Sequence, residues 1–250
     1  MLHLVSIQAS AIKSTFECLK DVLNDVNIYF RPNGIYMTTL DTARTSLVDL
    51  ALSSDNFEEY SCSVDEIIAG VSTANMFKLL KSITNSDVLR IGITTKEHMD
   101  IEISNESKRT CTKFQLKLLD INESRITLPD IETSITTTLS AAEFQKYIRD
   151  MSNIGTEIEI TREKNKITFA CNDGDFANQE TSIETLDSID LKLTGLYSLK
   201  YLNIFSKAAT MCSSVQICQE ELNRFMILNY RVACLGSLSF YLATKIPAQS

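Results

Sequence analysis

The sequence offers regularly spaced cations rather than a catalytic cluster. Lys13 and Lys20, Lys78 and Lys81, Lys146 and Arg149, and Lys200 and Lys207 form four pairs, each three or seven residues apart. That spacing puts both members of a pair on one side of a helix. Rows of exposed ammonium and guanidinium groups contact phosphates without reading bases. A single solvated helix face commonly carries lysine. Four such faces in a chain of net charge −8, with 24 Lys and Arg against 32 Asp and Glu, make charge placement the question, because bulk charge alone would repel nucleic acid.

Other chemistries find no support. His3 and His98 are the only histidines. The seven cysteines, Cys18, Cys62, Cys111, Cys171, Cys212, Cys218 and Cys234, are scattered and include no C-x-x-C. They predict reduced thiols in a nuclear or cytosolic compartment, and no zinc site or other metal. Asn172, Asp173 and Asp175 around Gly174 lack the spacing and terminal Glu of a calcium loop, and Asp-Gly reads better as a hairpin turn. No phosphate-cradling glycine loop or G-x-S-x-G elbow occurs among the 7 Gly. The reading is therefore no enzyme and no cofactor. No apolar run reaches membrane-span length, and Met1–Ser10 lacks a signal-peptide pattern, so a membrane role is not expected.

Periodicity gives the helices and strands that carry these cations. Ala11, Ile12, Phe16, Leu19 and Leu23 recur at helical spacing over 10–24, with Ser10 as N-cap. Strands at 27–30 and 35–39 flank Asn33-Gly34, a hairpin signal. Further strands are read at 46–52 and 60–64, a helix at 73–83, then strands at 88–94, 99–104 and 110–118. The order then repeats. A helix at 140–152 carries Ser140 and Glu143 as a capping box. Strands follow at 157–161 and 166–171, joined by a turn around 163–165, and at 180–186 and 189–194. A helix at 198–209 and strands at 214–218, 224–233 and 238–242 close the chain. With 44% apolar residues both halves can build a core. The prediction is an α+β protein of two similar domains, 1–117 and 136–250, joined by a connector over 118–135. In that strap Ile126 and Leu128 alternate with Arg125 and Thr127, as for a chain lying on a surface, and Pro129 favours extended geometry before it.

SAIKSTFECLKDVLNDVN, LDTARTSLVDLAL with FEEYSC, FQLKLLD, the strap, FQKYIRDMSNIG, LKYLNIFSKA and YRVACLGSLSFYLATKI occur colinearly over essentially the whole chain. In this the chain resembles the proliferating cell nuclear antigen type of sliding clamp. The resemblance implies a ring of three identical subunits, with helices lining an inner face around duplex DNA and antiparallel sheets outside. It further implies that Lys13, Lys20, Lys78, Lys81, Lys146, Arg149, Lys200 and Lys207 face the phosphates. It places Leu40, Arg44, Thr45, Leu47, Ile126, Leu128, Phe225, Tyr241, Ala243 and Ile246 at a pocket for partner peptides carrying a glutamine, an aliphatic residue and paired aromatics. Thr110, Thr112, Phe114, Leu116, Gln179, Thr181 and Ile183 match edge strands that pair between subunits, and Lys164 matches a position modified by ubiquitin.

The implied partners are double-stranded DNA, a DNA polymerase and other replication or repair proteins, and an ATP-dependent clamp loader. The implied setting is the nucleus or a viral replication compartment. Ser14 and Asn153 stand where further basic residues are common. Arg44 departs from the family at the pocket, Phe225 replaces a common proline, the 184–198 loop is short, and Pro247–Ser250 lacks an acidic end. These departures suggest a divergent viral or protist member. The alternatives are a subunit of a heterotrimeric or checkpoint-type clamp, or a clamp-derived scaffold that does not encircle DNA.

Overall fold

The computed structural model describes residues 1–128, 135–173, 177–220 and 224–245. The chain divides into two compact units. The first comprises Met1–Thr42, Val48–Leu128 and Arg231–Leu238; the second comprises Ala43–Leu47, Pro129–Tyr230 and Ser239–Ser250.

The amino-terminal half runs β1 (Leu2–Ser6), α1 (Ala9–Leu19), β2 (Asp25–Arg31), β3 (Gly34–Leu40), β4 (Ser46–Ser53), β5 (Glu59–Cys62), β6 (Ile67–Ser72), α2 (Thr73–Leu80), β7 (Val88–Ile93), β8 (His98–Asn105) and β9 (Thr110–Lys117). One sheet has the order β5-β1-β7-β8-β9, and β4-β3-β2-β6 are neighbours in that order within a second. Between them Leu4, Phe16, Ile28, Leu50, Met76 and Met99 converge around a void of only about 30 Å³, so this core is close-packed.

Helix α1 begins one residue before the expected cap. Gln8, not Ser10, occupies the N-cap, and its side chain makes no cap bond. The Gln8 N–H donates to Ser6 Oγ at 3.1 Å, and its side-chain carbonyl accepts from the Cys234 N–H at 2.9 Å. The helix stops at Leu19, after which the N–H groups of Val22 and Leu23 both donate to Leu19 O, at 3.0 and 2.8 Å. The hairpin between β2 and β3 pairs Arg31 with Gly34. Its corner is Pro32-Asn33, one residue earlier than an Asn-Gly turn would place it. Gly34 is needed where it stands, at φ +146°, because a Cβ would lie 2.1 Å from Leu52 O. Strands β1 and β6 extend the predicted set.

The carboxy-terminal half runs β10 (Ile135–Ser140), α3 (Ala141–Met151), β11 (Glu157–Asp173), β12 (Ala177–Ser198), α4 (Leu199–Phe205), β13 (Ser214–Gln219), β14 (Phe225–Val232) and β15 (Gly236–Ala243). Here β10-β13-β14-β15 are neighbours in that order within one sheet, and β11 and β12 form a long ribbon. Helix α3 forms as its sequence dictates. Ser140 Oγ accepts from the Glu143 N–H at 3.4 Å, while Ala141, Phe144, Ile148 and Met151 are buried. Phe144 meets Phe169 of β11 with ring centroids 6.1 Å apart.

The second unit also departs from the sequence pattern. The polar run 163–165 is a bulge inside one continuous strand, not a turn. The fourth helix ends at Phe205 and tightens into a 3₁₀ turn over Ser206–Thr210. The ribbon pairs Asn172 with Asn178, as a hairpin there requires, although Gly174 and Asp175 lie outside the described residues. The result is an α+β fold in which two helices per unit lie among antiparallel strands.

Candidate nucleic-acid interface and partner site

The cations of the first unit fall into two kinds. Lys13 on α1 is half-buried, and its Nζ donates to Ile83 O at 2.7 Å beyond the end of α2. Lys20 follows α1, pairs with Asp21 at 2.8 Å and lies over the Phe77 ring at 5.1 Å. Both help tie α1 to α2. Lys78 is exposed and donates to Asn75 Oδ1 at 3.2 Å, and Lys81 is exposed at the carboxyl end of α2, where the helix dipole favours a cation. In the second unit Lys146 and Arg149 are exposed on α3, with Arg149 4.0 Å from Asp150. Lys200 is exposed on α4 and Lys207 on the 3₁₀ turn after it.

The first half of the strap is fastened to the first unit by a series of contacts. Leu118 is buried and its N–H donates to Glu97 O at 2.8 Å. The Leu119 N–H donates to Gly70 O at 2.8 Å. Gly70 is required by that approach, since a Cβ would sit 2.2 Å from Leu119 O. Asn27 Nδ2 donates to Ile121 O at 3.0 Å. Arg125 donates to Glu66 Oε2 at 2.6 Å and lies over the Tyr29 ring at 4.4 Å, and the same carboxylate oxygen accepts from Arg31 Nε at 2.8 Å. Burial opposes ionisation of Glu66, but the two guanidinium groups outweigh it and hold its carboxyl below the usual range. This latch therefore persists through neutral pH and is lost only as pH falls below the usual glutamate range. Beyond it Ile126 and Leu128 are half-buried while Arg125 and Thr127 are exposed. Arg125→Ala removes one ion pair and one cation–π contact. Each is worth about 0.5–1 kcal/mol, so exchange of the Leu119 amide, which donates to Gly70 O, is expected to rise about tenfold. Unchanged exchange would show that the latch does not hold the strap.

The residues implied for partner binding are divided between the units. In the first, Leu40 is 37% exposed at the end of β3, in addition to Ile126 and Leu128. In the second, the Ala243 N–H donates to Thr45 O at 3.4 Å, and Phe225 and Tyr241 meet edge-on with centroids 6.2 Å apart. Arg224 lies over Phe225 at 5.8 Å and bonds both oxygens of the buried Glu220 at 3.0 Å. Arg44 is exposed with φ +54°, and Leu47 is half-buried on the outward register between Ser46 and Val48. Ile246 and the tail 247–250, like Pro129, lie outside the described residues.

Strand β9 ends its sheet and pairs on one side, with β8. Thr110 and Thr112 are exposed on it, while Phe114 and Leu116 are half-buried. On β12, which is paired with β11, Gln179, Thr181 and Ile183 share a half-buried register. The charges differ in sign: Lys108, Arg109, Lys113 and Lys117 lie along or beside β9, and Glu180 and Glu184 along β12. Lys113 also bonds Glu102 at 3.0 Å. Lys164 is exposed at the β11 bulge with φ +50°. Sequence reasoning missed Asn27, Tyr29, Arg31 and Glu66 as strap anchors. Among the described residues no His, Cys, Asp and Glu group could hold a metal ion.

A repeated α+β plan, paired helices presenting cations, a tethered strap and edge strands of opposite charge define a two-domain clamp chain. The family model described as proliferating cell nuclear antigen, N-terminal domain, matches residues 1–125, and that of the C-terminal domain matches 127–245. The chain belongs to the proliferating cell nuclear antigen family. It is 37% identical to the probable DNA polymerase sliding clamp 1 of Paramecium bursaria Chlorella virus 1, over 97% of this chain and 96% of that protein. Its fold is similar to the crystal structure of proliferating cellular nuclear antigen from Entamoeba histolytica, with a TM-score of 0.90 and 25% identity, covering 98% and 99% of the two chains.

Proposed function

We propose that this protein is a DNA sliding clamp: a homotrimeric ring that encircles duplex DNA and tethers a polymerase, acting as a processivity factor with no chemistry of its own. The observation that carries this reading is the whole-length similarity to a viral DNA polymerase sliding clamp, supported by exposed cations on helices in both units. Lys78, Lys81, Lys146, Arg149, Lys200 and Lys207 contact phosphates nonspecifically, and Lys13 and Lys20 contribute less because their charges are engaged within the first unit. Partner proteins bring a short peptide to Leu40, Arg44, Thr45, Leu47, Ile126, Leu128, Phe225, Tyr241, Ala243 and Ile246, lying along the 118–135 connector between domains 1–117 and 136–250. An ATP-dependent loader opens the ring, in a nucleus or a viral replication compartment, and Lys164 accepts a modifier. Primer extension on a long template, with the cognate polymerase and loader, tests the function: longer products with this protein support it, and unchanged products refute it.

Opposite charge on the two edge strands favours self-association over a ring of different chains. A β9 edge of one copy meeting a β12 edge of the next satisfies exposed backbone groups and pairs cations with carboxylates. Phe114→Asp places a charge at that contact, and the expected result is dissociation to the 28.1 kDa chain in sedimentation. A mass unchanged from the unsubstituted protein would remove β9 from the interface.

A further inference from the structure

A buried guanidinium stands behind the interruption in the β11–β12 ribbon. Arg162 is 1% exposed and continues the inward register of Ile158 and Ile160. Its Nη1 donates to the carbonyls of Lys164 and Lys166, the second at 3.2 Å. Its Nε donates to Thr137 Oγ1 at 3.1 Å. Thr137 is itself buried and lies on β10, in the other sheet of the same unit. One side chain thus joins the two sides of the bulge to each other and to the opposing sheet.

The bulge needs such a clamp. Lys164 adopts φ +50°, a conformation that a Cβ disfavours. The ladder passes from Lys164↔Ile189 to Lys166↔Glu184, omitting Asn165 on one strand and 185–188 on the other. Backbone carbonyls at such a break need donors that the ladder does not supply. A guanidinium offers five N–H groups in a rigid plane and serves several carbonyls at once, which a lysine ammonium does less well. On the outer side Glu163, Lys164, Asn165 and Lys166 are all exposed.

We infer that Arg162 is a positioning residue: its guanidinium templates the bulge and thereby fixes the outward presentation of the Lys164 amine to an acylating partner. The inference rests on the reading of Lys164 as an acceptor only for the use made of that amine; the clamp itself does not depend on it. The test needs no partner enzyme. The unsubstituted protein and Arg162→Leu are compared by hydrogen exchange and by competitive acetylation with an N-hydroxysuccinimide ester, read per residue by mass spectrometry. Amides 163–167 are expected to exchange about tenfold faster in Arg162→Leu. The Lys164 to Lys166 labelling ratio is expected to shift, with Lys146 on α3 unchanged as reference. Unchanged exchange and ratio, or faster exchange spread evenly over the second unit, overturns the inference. If Arg162→Leu does not fold, the milder Arg162→Lys decides by the same exchange measurement. Faster exchange confined to 163–167 supports the clamp, because an ammonium lacks the planar fork that serves several carbonyls, and unchanged or evenly spread exchange overturns it.

Discussion

Leu47→Asp and Ile126→Asp are each expected to weaken capture of a clamp-binding peptide by about 100-fold while leaving the fold intact. Leu47 is half-buried on β4, whose buried register is Ser46, Val48, Leu50 and Leu52, so a carboxylate at 47 does not enter the core. Ile126 is likewise half-buried on the strap beyond the Arg125 latch. Burying an apolar anchor contributes about 1.5–3 kcal/mol, and a carboxylate facing that anchor adds a desolvation cost. Together these make up the roughly 3 kcal/mol that 100-fold requires. The measurement is fluorescence anisotropy with a labelled peptide carrying a glutamine, an aliphatic residue and paired aromatics, alongside a thermal melt. Undiminished binding by both variants would refute the assignment of these positions to partner capture.

Charge reversal at Lys78 and Lys146 together is expected to shorten clamp-dependent products about tenfold or more, with little change in stability. Both side chains are exposed, on α2 and α3 respectively, and exposed substitutions usually change stability by less than about 0.5 kcal/mol. Phosphate contacts act through counterion release, and each lost contact lowers the salt slope by about 0.9. In a ring of identical subunits the double substitution acts at every copy, which multiplies the effect. Lys13→Ala should behave differently, because Lys13 donates to Ile83 O: it should lower the melting temperature more than it shortens products. Unaltered product length with Lys78→Glu plus Lys146→Glu would remove these residues from the DNA-facing surface.

Local rules made much of this architecture legible. Helix α3 carries its cap, its apolar side and its cations within its own sequence: Ser140 caps it, Phe144, Ile148 and Met151 are buried, and Lys146 and Arg149 are exposed. Strands β6 and β10 escaped the reading because IIAGVS is an apolar run without alternation and ITTTLS continues directly from the strap. The bulge at Lys164 read as a turn because Glu-Lys-Asn is locally turn-like; the strand continues because Arg162, in an inward position, supplies donors that a pattern of apolar residues does not reveal. The cations were legible because helical spacing is local. The strap anchors were not, since Glu66 and Arg125 are 59 positions apart and Asn27 and Ile121 are 94 apart, and only the fold brings them together.

A closed ring of identical chains has a molar mass in solution that separates it from the lone chain. Light scattering with reductant present, over a wide concentration range, is expected to give about three times the 28.1 kDa chain mass, the stoichiometry of a closed three-fold ring, and to hold that value on dilution. A stable mass of one chain across that range would contradict it.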